Sequence, residues 1–214
     1  NEKSIVILSE INEVNIFGSF QIYNSYPYIE GISIASENDF SWAMFIENIY
    51  EDTSSIVMKN CKIISSYAGV YIKDSWDVHI ENSIIAQNGA GLSADNSNVR
   101  IYGSTLSDNE TSNLTILNGS SVNLTNSVVW KTEGNFIAGN VQLIDPVIDT
   151  IQITYSNVLG GWEGEGNINL NPQFCDPSSG DYSISEISPC LSSGLNGENM
   201  GALPIGCSTP PMVA

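Results

Sequence analysis

The sequence predicts an all-β fold: a right-handed parallel β-helix, a three-sided solenoid, closed by a C-terminal capping extension. Three observations predict it. Four alternating segments align without gaps, their ends recur every 21 to 23 residues, and helical periodicity is absent throughout.

The four segments are Ile56-Val57-Met58-Lys59-Asn60, Val78-His79-Ile80-Glu81-Asn82, Val99-Arg100-Ile101-Tyr102-Gly103 and Val122-Asn123-Leu124-Thr125-Asn126. Side chains alternate across a strand, so Ile56, Met58, Val78, Ile80, Val99, Ile101, Val122 and Leu124 point inward. Every charge falls in the opposite set. The period suits one coil of a three-sided solenoid, in which like residues stack on like.

Asn60, Asn82, Gly103 and Asn126 then share one corner, where Asn and Gly both tolerate left-handed backbone geometry. The asparagine amides are expected to bond one another up the stack. A second strand follows each corner, with Cys61, Ser83, Ser104 and Ser127 inward at its first position and Ile63, Ile85, Leu106 and Val129 inward two residues on. The pairs Val70 and Ile72, Leu92 and Ala94, and Leu114 and Ile116 mark the third strand.

Looser copies extend the repeat to Tyr28–Ile34 and Ile153–Val158, with insertions expected within Glu37–Asp52 and Lys131–Thr150. Residues 1–174 are assigned to the β-helix, and residues 175–214 to a cap and tail packed on the last coil.

Composition bounds the function. The 214 residues are 42% hydrophobic, too rich for disorder, and 24 acidic against 6 basic residues leave a formal charge of −18. Nucleic acid and anionic membrane surfaces are disfavoured as partners, because both call for clustered Lys and Arg. No apolar run is long enough to span a membrane, and Asn1–Ser4 does not open a signal peptide. Cys175 and Cys190 are close in sequence and are expected to pair, which suits an oxidising compartment; Cys61 and Cys207 have no local partner. Asn109, Asn113, Asn118 and Asn123 each begin an Asn-x-Ser/Thr triplet, as a chain rich in these residues does by chance.

The repeat, together with Tyr155-Ser156-Asn157-Val158-Leu159-Gly160-Gly161-Trp162, Asn171-Pro172-Gln173-Phe174-Cys175-Asp176-Pro177, Gly180-Asp181-Tyr182, Ser188-Pro189-Cys190 and Gly201-Ala202, resembles the pectin-lyase-like right-handed β-helix proteins, in particular secreted bacterial proteins of the choice-of-anchor Q type. The resemblance implies a last coil giving way to a capping extension, with Pro210-Pro211 opening a linker. The capping helix and Gly-Asp-Thr strand entry common in such proteins have no counterpart before Ser19, so either the first coils are missing or the solenoid begins with an open edge. Pectate-lyase-like enzymes act on acidic polysaccharides with Ca²⁺-binding carboxylates and an Arg or Lys base on an outward face.

Here the outward column that fits is Glu47, Lys73 and Asp95, beside a column of Phe45, Tyr71, Ser93 and Thr115. The alternative is that opposite charges on adjacent coils simply pair. His79 beside Arg100 is a second candidate pair, with Lys59 and Glu81 adjoining; a lone histidine cannot assemble a zinc site. Acidic turns at Asp74–Asp77, Asp108–Glu110 and Glu163–Glu165 could collect Ca²⁺, but none matches a calcium loop, and no cofactor is otherwise implied. The aromatics Tyr23, Tyr26, Trp42, Tyr50, Trp76 and Trp162 could stack on sugars or cap turns, with Phe45, Tyr71 and Trp76 the ligand-binding candidates. No nucleophile motif accompanies Ser, His and Asp, and Cys61, in the inward column, is expected to be an inert thiol.

Two roles follow. The first is a noncatalytic secreted or cell-surface structural or binding protein, an adhesin-like module presenting faces and loops to polysaccharide or protein, or stacking end to end into filaments. The second is a polysaccharide lyase or hydrolase acting in an outward groove.

Overall fold

The computed structural model describes residues 6–8, 14–17, 20–23, 28–35, 42–47, 55–132 and 140–208. Three parallel sheets wind into a right-handed solenoid of about seven turns. The first holds Val6–Leu8, Tyr28–Glu30, Ile56–Lys59, Val78–Glu81, Asn98–Tyr102, Ser121–Thr125 and Thr150–Thr154. The second holds Val14–Phe17, Ile32–Ala35, Lys62–Ile64, Ile84–Ala86, Thr105–Ser107, Val128–Trp130 and Asn157–Val158. The third holds Phe20–Tyr23, Trp42–Glu47, Ala68–Lys73, Leu92–Asp95, Leu114–Leu117 and Val141–Leu143. Among the described residues there is no α-helix, only two single 3₁₀ turns.

Register follows the repeat. Ile56 pairs with Val78, Val78 with Val99 and Val99 with Val122, while Met58, Ile80, Ile101 and Leu124 form the next inward column. These side chains are all but inaccessible, as are Ile63, Ile85, Leu106 and Val129 in the second sheet and Val70, Ile72, Leu92 and Ala94 in the third. Each fully buried aliphatic side chain contributes about 1.5–3 kcal/mol. The expected insertions each contain a regular strand, Trp42–Glu47 in the first and Val141–Leu143 in the second. The rest of Glu37–Asp52, and Tyr26, Tyr50 and Pro210-Pro211, lie outside the described residues, as does the side chain of Tyr23.

Asn60, Asn82, Gly103 and Asn126 do share one corner, at φ of 52°, 47°, 55° and 52°. Their amides do not form the expected ladder. The Asn60 side chain donates to Glu30, and that of Asn126 to Tyr102 and Glu198, while Asn126 Oδ1 accepts the Leu195 amide of the C-terminal extension. The buried ladders run elsewhere. In the inward column one residue past this corner, the Ser83, Ser104, Ser127 and Ser156 hydroxyls accept the amides of Cys61, Ser83, Ser104 and Ser127 at 3.1–3.2 Å. Each hydroxyl donates in turn to the carbonyl two residues before it.

Ser75, Ser97 and Ser120 repeat the device at the second corner, the later hydroxyl accepting the earlier amide at 3.0 Å. At the third, the side chains of Asn88, Asn109 and Asn113 accept the amides of Ser66, Asn88 and Asn109. These groups are buried, where an unmade hydrogen bond would be costly, so the ladders define the corners as firmly as the apolar columns define the sides. Asn109 and Asn113 are consequently sealed in the wall with their amides in use, unlike Asn123, which is exposed.

The C-terminal extension begins by closing the last coil. The Tyr155 amide bonds Glu165, Ile168 bridges Ser156 and Val158, and Trp162 packs against the end of the core. The extension was expected to pack on the last coil; it reaches further, turning back along the outer face of the second sheet. A small sheet of Phe174–Asp176, Asp181–Ser185 and Ile205–Cys207 forms there. Phe174, Tyr182, Ile184, Cys190 and Met200 make a second core with Ile84, Ala86, Val128 and Trp130. Tyr182 donates to Asp108 at 2.9 Å, and its ring meets Phe174 edge-on at 5.1 Å. The reason is visible in the strands: Ile84-Ile85-Ala86 and Val128-Val129-Trp130 are buried on both faces, and the outer one needs a cover.

The disulfide is a correction. Cys175 bonds Cys207, not Cys190, across a sequence separation of 32. The residues between Cys175 and Cys190 run out and back through Asp181–Ser185, which carries Cys190 away to the last coil, where its sulfur accepts from Asn157 at 3.2 Å. Cys61 and Cys190 are free, and burial pushes both thiols above their usual range; the inert thiol was expected at Cys61 alone.

Candidate functional site

A parallel sheet presents its outward residues in rows one coil apart, so any site on this solenoid is assembled from equivalent positions of successive coils. On the third sheet the expected columns form in register. Phe45 pairs with Tyr71 and Tyr71 with Ser93; Glu47 pairs with Lys73 and Lys73 with Asp95. Lys73 Nζ lies 2.6 Å from Glu47 Oε1 and 3.5 Å from Asp74. The Glu47 hydrogen bond holds the ammonium above its usual range, so Lys73 has no free lone pair with which to take a proton.

Asp95 turns from Lys73. It is nearly buried, and it accepts from the Tyr71 hydroxyl and from Asn118 at 2.6 Å. Burial first, then the Asp95 bond, push the Tyr71 phenol far above its normal range. The Tyr71 ring stacks on Phe45 at 5.6 Å and meets Trp42 at 4.9 Å. Trp42 also walls a mainly apolar groove of about 350 Å³ with Tyr67, floored by Ala68, Gly89 and Ala90. Tyr67 was not singled out by sequence; it follows a serine pair in a loop and carries no periodic signal.

On the first sheet, His79 and Arg100 stand side by side on adjacent strands. Arg100 Nη1 is 2.9 Å from both Asp77 Oδ1 and His79 Nε2, and the imidazole is 3.0 Å from the same carboxylate oxygen. Burial opposes ionisation of Asp77, but the Ser55 hydroxyl, His79 and Arg100 outweigh it and hold the carboxyl below its usual range. Lys59 pairs with Glu81 at 3.3 Å. Asp77 was expected only as part of an acidic turn, and it is the residue that organises this cluster. Trp76, next to it, is 52% exposed.

Each acidic turn has at least one carboxylate bound to a protein donor. Asp108 accepts from Thr132 and Tyr182, Asp74 from Asn96, and Glu165 from Tyr155. Among the described residues no three acidic, cysteine or histidine side chains converge on a point where a metal could sit. No helix among them is long and apolar enough to cross a membrane.

The family model described as "Right handed beta helix region" matches residues 47–159, just over half of the chain. Neither the curated proteins nor the solved structures contain a significant match. The matched segment is the part of the solenoid with the most regular repeat, and it carries Glu47, Lys73, Asp95, His79 and Arg100. With the three parallel sheets and their stacked corners already in place, the match shows that this chain belongs to the right-handed β-helix family.

Proposed function

We propose that the chain is a noncatalytic extracellular or cell-surface binding protein, whose rigid solenoid presents outward faces and loops to a polysaccharide or protein. One observation carries this reading: the side chains with the chemistry of a lyase or hydrolase are tied to their neighbours. Lys73 is clasped by Glu47, Asp95 is filled by Tyr71 and Asn118, and His79 and Arg100 close on Asp77. A general base needs an acceptor directed at substrate, whereas Asp95 and Asp77 direct theirs at neighbouring side chains and Lys73 is held as an ammonium by Glu47.

Charge points the same way. At −18 the surface repels the anionic polymers on which pectate-lyase-like enzymes act. The disulfide and the second core over the solenoid's flank suit a protein that must persist in an oxidising medium. Faces and loops are favoured over end-to-end stacking, because the Glu165–Ile168 segment already occupies the backbone of the last coil.

The test is incubation of the purified chain with a panel of neutral and acidic polysaccharides, with and without Ca²⁺, followed by assay for reducing and unsaturated ends and by affinity electrophoresis. Retarded migration without product is expected. Release of new ends that disappears in Lys73→Ala would establish the enzymatic role instead.

A further inference from the structure

The outer face of the first sheet carries a cleft whose hydrogen-bonding side chains are largely unused. Asn98 pairs with Ser121 and Arg100 with Asn123 on adjacent strands, and these four line a cleft of about 160 Å³ with Trp76 and Asp77. Among the described residues, the side chains of Asn98, Ser121 and Asn123 make no hydrogen bond. Arg100 commits only Nη1, to Asp77 and His79, so Nε and Nη2 remain available on a side chain that is 62% exposed.

From this arrangement we infer a binding site for one neutral pyranose unit of a glycan, its ring against Trp76 and its hydroxyls on Asn98, Arg100, Ser121 and Asn123. This deepens the binding role proposed above and rests on it. A sugar offers an apolar ring face and a rim of hydroxyls that both donate and accept. Its complement is an exposed aromatic beside fixed polar groups of both kinds. Amides and a hydroxyl supply donors and acceptors together, and guanidinium adds forked donors.

The surroundings select a neutral ligand. The Arg100 charge is already balanced by Asp77, and the rest of the molecule is strongly acidic, so a carboxylated sugar meets no net attraction. The outward column through the cleft, His79, Arg100, Asn123 and Gln152, contains no acid, so hydroxyls can approach without a competing carboxylate in that row. Cleft size limits the ligand to a single ring. The positions are held rigidly, because each strand also anchors buried residues at Val99, Ile101, Val122 and Leu124.

The experiment is titration of the whole chain, produced without glycosylation because Asn123 begins an Asn-x-Ser/Thr triplet. The probes are the methyl glycosides of glucose, galactose, mannose and N-acetylglucosamine, with methyl glucuronide alongside, followed by amide chemical shifts. At least one neutral glycoside is expected to saturate and to shift the amides of residues 98–100 and 121–123. Trp76→Ala should weaken it about tenfold or more and Asn123→Ala about three- to tenfold, losses of one aromatic and one hydrogen-bonded contact. Tyr67→Ala, on the groove of the third sheet, should change nothing.

Absence of saturation by every neutral glycoside, equal affinity in Trp76→Ala with circular dichroism unchanged, or tighter binding of the glucuronide would each overturn the site. Failure of this site and of the broader role are separable. Polysaccharide binding that survives Trp76→Ala defeats only this cleft, whereas polysaccharide cleavage alongside Trp76-dependent glycoside binding defeats only the noncatalytic role.

Discussion

Ser104 Oγ accepts the amide proton of Ser83, one coil away, at 3.2 Å, and donates its own proton to the Tyr102 carbonyl at 3.0 Å. Both serines are fully buried. The hydroxyl therefore joins two coils through backbone groups that have no access to water. Ser104→Ala leaves the Ser83 amide unbonded and is expected to lower stability by about 1–3 kcal/mol, read from urea unfolding. Ser121→Ala, at a half-buried outward position, is the control and should fall within about 0.5 kcal/mol of the parent. Equal effects of the two would remove the ladder's structural role.

Gly103 combines φ of +55° with close contact: a Cβ there would sit 2.6 Å from Asn82 Oδ1. Gly103→Ala should cost about 1–2 kcal/mol from the left-handed backbone alone. The Asn82 contact adds to it, so part of the loss should return in Gly103→Ala combined with Asn82→Ala, a coupling that a double-mutant cycle measures. Strict additivity would show that the contact contributes nothing.

A non-reducing peptide map should contain one linked pair, Cys175 with Cys207. The two remaining thiols, Cys61 and Cys190, should react with a thiol reagent only after unfolding, since both are buried. Opening the loop by Cys207→Ala is expected to lower stability by roughly 3–4 kcal/mol. Finding Cys175 linked to Cys190 would require a different course for the extension.

The Tyr182 phenol is pushed far up, first by burial and then by the neighbouring Asp108 carboxylate. Because its folded value lies above the unfolded value of about 10, the protonated form is the one the fold favours. Its contribution is fully present below pH 10 and is lost as pH rises beyond that toward the folded value. Alkaline titration should therefore loosen the extension, seen as a falling near-ultraviolet circular dichroism signal. Tyr182→Phe should lose this part of the pH dependence; an unchanged alkaline transition in that variant would sink the assignment.

The two faces of the solenoid differ in how well they could be read. Glu47 beside Lys73, and His79 beside Arg100, were legible because a fixed repeat converts sequence offsets into spatial neighbours. That Asp95 turns to Tyr71 and Asn118, and that Asp77 gathers His79, Arg100 and Ser55, was not legible. Those contacts depend on which way a side chain leans at a corner, and no alternation or spacing encodes that. The asparagines are a different case: Asn60 and Asn126 share the expected corner, yet the buried amide ladder is that of Asn88, Asn109 and Asn113. Offsets of 22 and 21 residues from Ser66 to Asn88 to Asn109 were present in the sequence as its signal.

By itself the sequence determined the solenoid, its inward columns and the shared corner of Asn60, Asn82, Gly103 and Asn126. Alternation within a strand and a period near 22 residues are local properties, and stacking repeats them without any long-range choice. Tertiary structure alone decided the path of the extension, the Cys175–Cys207 bond and the reach of Tyr182 to Asp108, 74 residues away in sequence. That packing happens once. It is governed by the apolar outer face of Ile84, Val128 and Trp130, which must be covered, and not by any repeat that the chain displays.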